Sequence, residues 1–134
     1  MHLNKITLEV GDSFTLLTSY GTHLHVIVAE SSPEDSGSIM LVYLSSVDIE
    51  NKDRTTIIEI GEHPFVTCSS WVRYQNILVA SRADVEKIVD KHFGKVDPEL
   101  LQRIQDGLEA SDFSSNGNKQ LYHQWKMDSL YSKI

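Results

Sequence analysis

A single cysteine, Cys68, is all the thiol chemistry that these 134 residues offer. Its isolation excludes an internal disulfide and a zinc cage built on cysteines. No stretch reaches the roughly 18 consecutive apolar residues that a bilayer-spanning helix needs. The start, Met1-His2-Leu3-Asn4-Lys5, lacks the basic-then-apolar build of a secretory signal. These absences lead to the expectation of a cytosolic protein without a membrane partner. A basic excess is missing as well: 12 Lys and Arg stand against 19 Asp and Glu, a net charge of −7. That balance argues against a tight, non-specific coat on nucleic acid, although a cleft can be locally positive on an acidic protein. Internal repeats and low-complexity tracts are also absent.

What remains has the composition of one ordinary globular domain, 40% hydrophobic and 23% charged, long enough to bury a core. Up to about Ser81 the chain alternates short β-type runs with turn signals. Phe14–Thr18, entered through Gly11-Asp12, and His23–Ala29 are the first two strands. Ser31–Gly37 is a loop, because Pro, Gly and short polar residues supply turn geometry rather than core. Ile39–Leu44 is nearly continuous in apolar residues and so is expected to be buried on both faces. A charged loop, Asp48–Arg54, leads to Thr55–Ile60, the turn Gly61-Glu62-His63-Pro64, and further strands at Trp71–Tyr74 and Asn76–Ala80. Short strands at this spacing favour a small barrel or sandwich.

Helical signals begin at Ser81. Ser81-Arg82-Ala83-Asp84 is a capping arrangement, Val85, Ile88 and Val89 recur at helical spacing, and Gly94 is the expected stop. Asp97-Pro98-Glu99 is a stronger start, with Asp as N-cap and Pro in the first turn. Leu100, Leu101, Ile104 and Leu108 then form one apolar stripe. Ser111–Asn118 reads as a flexible linker and Lys119–Ile134 as a weakly amphipathic helix carrying Leu121, Tyr122, Trp125 and Met127. The expected division is residues 1–110 as a barrel with closing helices and 111–134 as linker and terminal helix.

Histidines hold most of the candidate chemistry. His23 and His25 lie two apart on one strand and project from the same face, and His63 sits in a turn that a small barrel could bring alongside. Imidazole titrates near neutral pH, so such a set suits acid–base catalysis. It also suits metal binding, and each ring could instead simply pack and hydrogen-bond to backbone. Ser45-Ser46 place hydroxyls at a strand end, where serine otherwise forms turns. Arg73 and Arg82 could meet phosphate, and Trp71, Tyr74 and Tyr43 could stack bases or pack in the sheet.

The order of several short motifs adds to this. Gly11-Asp12 opens a strand, His25-Val26-Ile27-Val28-Ala29 follows, and Leu44-Ser45-Ser46 ends the apolar strand. Ile60-Gly61, Ser70-Trp71-Val72 and Lys95-Val96-Asp97-Pro98-Glu99-Leu100-Leu101 complete the series. Over about residues 8–110 this resembles the MazF/PemK family of bacterial toxin endoribonucleases. The resemblance implies a mainly β fold, a small SH3-like barrel with C-terminal helices, and a homodimer. It further implies metal-independent cleavage of single-stranded RNA by 2′-hydroxyl transesterification, without cofactor, and an antitoxin protein as partner. The family's hydroxyl residue falls on Ser45. Its arginine and proline fall on Thr22-His23-Leu24, where neither is present. The absent arginine removes a cation that would stabilise the transition state. The expected site is therefore His23 and His63 as proton-transfer partners with Ser45 on the phosphate, and His25, Ser46 and Arg73 contacting substrate.

Two other readings compete. His23-Leu24-His25, Glu30 and Gly37 match part of a metal-binding cupin motif, but Leu17 replaces its first glycine and His63-Pro64 does not complete the second half. A non-catalytic protein-binding barrel, or a toxin that poisons gyrase by contact, would need no arginine. In either case the C-terminal segment with Tyr122 and Trp125 either covers its own core or docks a partner.

Overall fold

The apolar run at the centre of the sequence becomes the strand to which most of the sheet is attached. In the computed structural model, which describes residues 6–16, 21–31 and 37–131, β3 (Ser38–Ser46) is buried along most of its length. One edge of β3 pairs with β2 (Leu24–Glu30). The other edge is divided. Ser38–Leu41 pairs with β6 (Leu78–Ser81), and Leu44–Ser46 pairs with β5 (Ser70–Val72). β1 (Asp12–Leu16) adds to β2, β7 (Val89–Lys95) adds to β1, and β4 (Ile57–Ile58) adds to β5. All pairs are antiparallel, in the order β4-β5-β3-β2-β1-β7 with β6 on β3. The expected mainly β architecture is present, but among the described residues no pairing joins β7 to β4 and the sheet stays open. Two residues of β4 are too few to carry a closing ladder. The expected strand beyond Leu16, the loop residues 32–36, the N-terminal 1–5 and the C-terminal 132–134 lie outside the described residues.

The region after Ser81 differs from expectation. Ser81 does cap a helix, its hydroxyl accepting the Asp84 N–H, but α1 spans only Arg82–Lys87. Val89 to Lys95 then form a strand on β1 rather than a second helical turn, because cross-strand pairing outweighs weak local propensity. Gly94, at φ 83, sits where the β1–β7 register shifts. It is a bulge glycine, supplying a left-handed backbone that side chains disfavour, and not a helix stop.

Period-two alternation divides the sheet into two faces. Leu24, Val26, Val42, Leu44 and Val72 point to one side, where they form the main core with Ile104, Leu108, Tyr122 and Trp125 from two helices. These helices are α2 (Pro98–Ala110), capped by Asp97 as expected, and α3 (Asn116–Tyr131). Complete burial of side chains such as Ile104 and Leu108 contributes about 1.5–3 kcal/mol each. The terminal helix thus covers its own core. The connection before it is pinned rather than flexible. Buried Ser111 donates to Asp53 Oδ2 at 3.0 Å, and buried Ser114 donates to the Leu108 carbonyl at 2.7 Å. On the opposite face Ile27, Ile39 and Leu41 form a smaller core with Phe14, Leu16 and Val85. Beyond that core the same face carries His25, Tyr43, Ser45 and Trp71.

Candidate functional site

Strand register alone gathers most of the site. His25 lies opposite Tyr43 across β2–β3, and Ser45 lies opposite Trp71 across β3–β5. Alternation then puts all four on one face, with His23 just before β2 and Arg73 just after β5. The Arg73 N–H donates to the Tyr43 carbonyl at 2.9 Å, so the residue stays in line with the sheet as β5 ends.

His23 and Ser45 line the same hollow, of about 130 Å³, with Ser46, Cys68 and Thr22 around it. The His23 ring is oriented by its own backbone surroundings. Its Nδ1 is 3.0 Å from the Leu44 carbonyl, an acceptor only, so Nδ1 carries the proton. That leaves Nε2 with a lone pair and no hydrogen-bond partner among the described residues. Tyr43 packs against this ring at 5.1 Å between centroids. Such a histidine can accept a proton.

Arg73, which does not line this hollow, brings a cation to Ser45. Its guanidinium lies 4.7 Å over the Trp71 ring and 5.5 Å from that of Tyr43. Nη1 reaches Ser45 Oγ at 3.3 Å, while Nε donates to Asn76 Oδ1 at 3.1 Å. Arg82 and Arg103 are bound to Glu30 and Glu62, whereas Arg73 has no carboxylate partner among the described residues. Arg73, about fifty residues after Thr22-His23-Leu24, thus brings a guanidinium to the Ser45 hydroxyl.

The other predicted residues are placed differently. His63 is buried behind Phe65, a residue of the hollow's wall, and does not itself line the hollow. Its Nδ1 accepts the Phe65 N–H at 3.0 Å, and its Nε2 lies 2.9 Å from Ser13 Oγ, which donates onward to the Gly94 carbonyl. Both ring nitrogens are committed, and burial lowers its pKa below the usual histidine value. It does not line the hollow and is not positioned as the second proton-transfer partner of His23. His25 is buried between Phe14 and Tyr43 and donates from Nδ1 to the His23 carbonyl at 3.0 Å. Burial pushes its pKa down to about 4, so it supports His23 as a neutral ring. Ser46 lines the hollow and accepts from Cys68 Sγ at 3.3 Å. Tyr74 is fully buried, bonded to Thr56 and to the Ile104 carbonyl, and is unavailable for stacking. The three-ligand set that a cupin reading requires does not assemble among the described residues, and Glu30 is bound to Arg82 at 2.6 Å.

Sequence reasoning missed Tyr43 as the ring that touches both His23 and Arg73. Its place opposite His25 was legible only once the β2–β3 register was known. It also missed Asn51. The charged stretch Asp48–Arg54 reads as a solvated loop, yet Asn51 and Asp53 within it are buried.

No protein-family model matches this chain, and no curated protein sequence does. Its fold is similar to that of an endoribonuclease solved in complex with its cognate antitoxin from a Mycobacterial species. The TM-score is 0.55 at 17% identity, over 77% of this chain and 92% of that one. That likeness establishes a fold in line with the resemblance to MazF/PemK toxins read from the sequence. No helix among the described residues is long and apolar enough to cross a membrane.

Proposed function

We propose that this chain is a toxin-type endoribonuclease that cleaves single-stranded RNA by transesterification, without a metal. The observation that carries the proposal is that His23 and Ser45 line one hollow, while Arg73, outside it, donates to the Ser45 hydroxyl at 3.3 Å. His23 Nε2 removes the proton from a ribose 2′-hydroxyl, and the 2′-oxygen attacks the adjacent phosphorus. Arg73 and Ser45 hold the phosphate oxygens as negative charge builds on them, the kind of fixed stabilisation that is worth most in catalysis. The P–O5′ bond then breaks, leaving a 2′,3′-cyclic phosphate, and the departing 5′-oxygen takes a proton from water at the open side of the hollow. The His23 imidazole and a water thus divide the work that two histidines were expected to share. The likeness to an antitoxin-bound endoribonuclease supports an antitoxin partner, and the family resemblance adds a homodimer working in the cytosol.

The test is incubation of the purified protein with end-labelled single-stranded RNA in EDTA. Expected products carry 2′,3′-cyclic phosphate ends, and a 2′-deoxy sugar at the cleaved position blocks the reaction. His23→Ala should slow cleavage by about 10²–10⁴-fold; unchanged cleavage would remove the mechanism. The net charge of −7 favours a second reading, a non-catalytic protein-binding or gyrase-poison-like role. Absence of cleavage by the wild-type protein would leave that reading standing.

A further inference from the structure

Where the sheet stays open between β4 and β7, the segment leading from β4 to β5 reaches β1 and β7 through side chains. Buried His63 is the centre of that contact. The Phe65 N–H donates to its Nδ1 at 3.0 Å, so Nδ1 holds a lone pair. On the other side of the ring, Nε2 lies 2.9 Å from Ser13 Oγ on β1. The single proton of that hydroxyl goes to the Gly94 carbonyl on β7 at 2.8 Å, so Ser13 accepts from Nε2–H. One directed hydrogen-bond chain thus runs from the Phe65 N–H through the ring and Ser13 to the β7 bulge. The neutral ring protonated at Nε2 completes it, whereas a charged ring would set Nδ1–H against the Phe65 N–H. Burial favours the neutral form. Phe93 of β7 packs edge-on against both His63 and Phe65, at 5.3 Å and 5.8 Å between centroids.

We infer that His63 is a positioning residue of the hollow, clasping the wall Phe65–Cys68 to β1 and β7 so that it stays fixed relative to His23 and Ser45. The inference rests on the ribonuclease reading above and extends it to a residue that does not line the site. Phe65, Val66, Thr67 and Cys68 are four consecutive lining residues of the hollow, and none of them lies in a strand. Leu44, Ser45 and Ser46, which also line it, are held by β3 and its ladder to β5. A wall without a ladder needs another anchor. At its ends the segment is tied by Glu62 to Arg103 on α2 and by the Ser69 carbonyl, which accepts the Val47 N–H at 2.9 Å. Between those ties, His63 makes the polar link to β1 and β7. Cutting that link leaves a buried donor or acceptor unpaired and frees the wall to shift. A displacement of about 1 Å at a reacting site can cost roughly 10²-fold in rate.

Cys68, the single thiol of the chain, reports on this wall, because its Sγ donates to Ser46 Oγ on β3 at 3.3 Å. The test uses the full chain and measures Cys68 modification by 5,5′-dithiobis(2-nitrobenzoate) and, separately, kcat and KM for RNA cleavage. Ser13→Ala cuts the clasp at β1. His63→Asn keeps an acceptor for the Phe65 N–H but is too short to reach Ser13. Both should speed Cys68 modification by about tenfold, the equivalent of one lost buried hydrogen bond. Both should also lower kcat by roughly 10–10²-fold with KM nearly unchanged. His63→Gln, long enough to donate to Ser13, should recover part of each effect. Val85→Ala, in the smaller core, weakens the fold without touching the clasp and should change neither readout. In the wild type, long-range ¹H–¹⁵N spectra at neutral pH should place the His63 proton on Nε2. A proton on Nδ1, a charged ring, unchanged Cys68 reactivity in Ser13→Ala, or equal acceleration by Val85→Ala overturns the inference. A wild-type protein that cuts no RNA while Cys68 responds to Ser13→Ala refutes the ribonuclease reading and keeps the clasp. Cleavage that Ser13→Ala leaves unchanged keeps the ribonuclease reading and overturns the positioning role.

Discussion

His25 makes the acid sensitivity of this fold predictable in size and in direction. Its ring is buried against Phe14 and Tyr43, and burial lowers its pKa from 6.5 to about 4. In the unfolded chain the same ring binds a proton near pH 6.5. As pH falls through the window between 6.5 and about 4, the unfolded state gains a proton that the folded state refuses. Stability that is fully present above pH 6.5 is therefore lost progressively down to about pH 4. At about 1.4 kcal/mol per pH unit, that window comes to roughly 3 kcal/mol, a large share of the 5–15 kcal/mol typical of a domain. His63, lowered in the same direction by burial, adds to the same slope. The carboxylates Asp12 and Glu62 are lowered as well, but lowered acids lose their contribution only below their ordinary values, under about pH 4.5. The measurement is urea unfolding from pH 7.5 to pH 4.5, wild type against His25→Asn. Asparagine can keep the donor toward the His23 carbonyl while removing the titration. The variant should show a markedly shallower loss of stability over this range, whatever its absolute stability at pH 7.5. An unchanged slope would refute the assignment of the acid limb to this buried imidazole.

Arg73→Ala should reduce RNA cleavage by about 10²–10³-fold, the usual effect of removing one transition-state stabiliser. Arg73→Lys should recover little of it, because an ammonium can neither lie flat on Trp71 nor bridge from Ser45 to Asn76; single-turnover cleavage rates on one labelled oligonucleotide check both. Gly107→Ala tests how α2 is seated. A Cβ there would stand 2.2 Å from both Thr56 Oγ1 and the Tyr74 hydroxyl, which are bonded to each other at 2.8 Å. The gain of about 1 kcal/mol in helix propensity should be outweighed by overpacking and a disrupted buried hydrogen bond, for a net loss of about 2 kcal/mol by urea unfolding. A variant as stable as wild type would show that the helix has room to shift.

Much of the fold could be read along the chain because its causes are local or periodic. The apolar run Ile39–Leu44 implied a strand covered on both faces, and β3 is that strand. Asp97-Pro98-Glu99 implied a helix start, and Asp97 caps α2. The segment Ser81–Gly94 misled because a valid cap and helical spacing compete there with pairing to β1, a partner some eighty residues away in sequence. The linker at Ser111–Asn118 misled for a similar reason: its serines look solvated until Asp53 and the Leu108 carbonyl are placed beside them.

Composition and alternation by themselves determined a small β-rich chain with helices at its end, and they marked His23, Ser45 and Arg73 as residues able to handle a proton or a phosphate. They could not decide which of these meet. Register did that, setting Tyr43 against His25 and Ser45 against Trp71, while packing drew His63 away to Ser13 and Phe65. The physical reason is that side-chain chemistry belongs to each residue, whereas a shared surface depends on pairings between distant strands. No local stretch of sequence encodes such pairings.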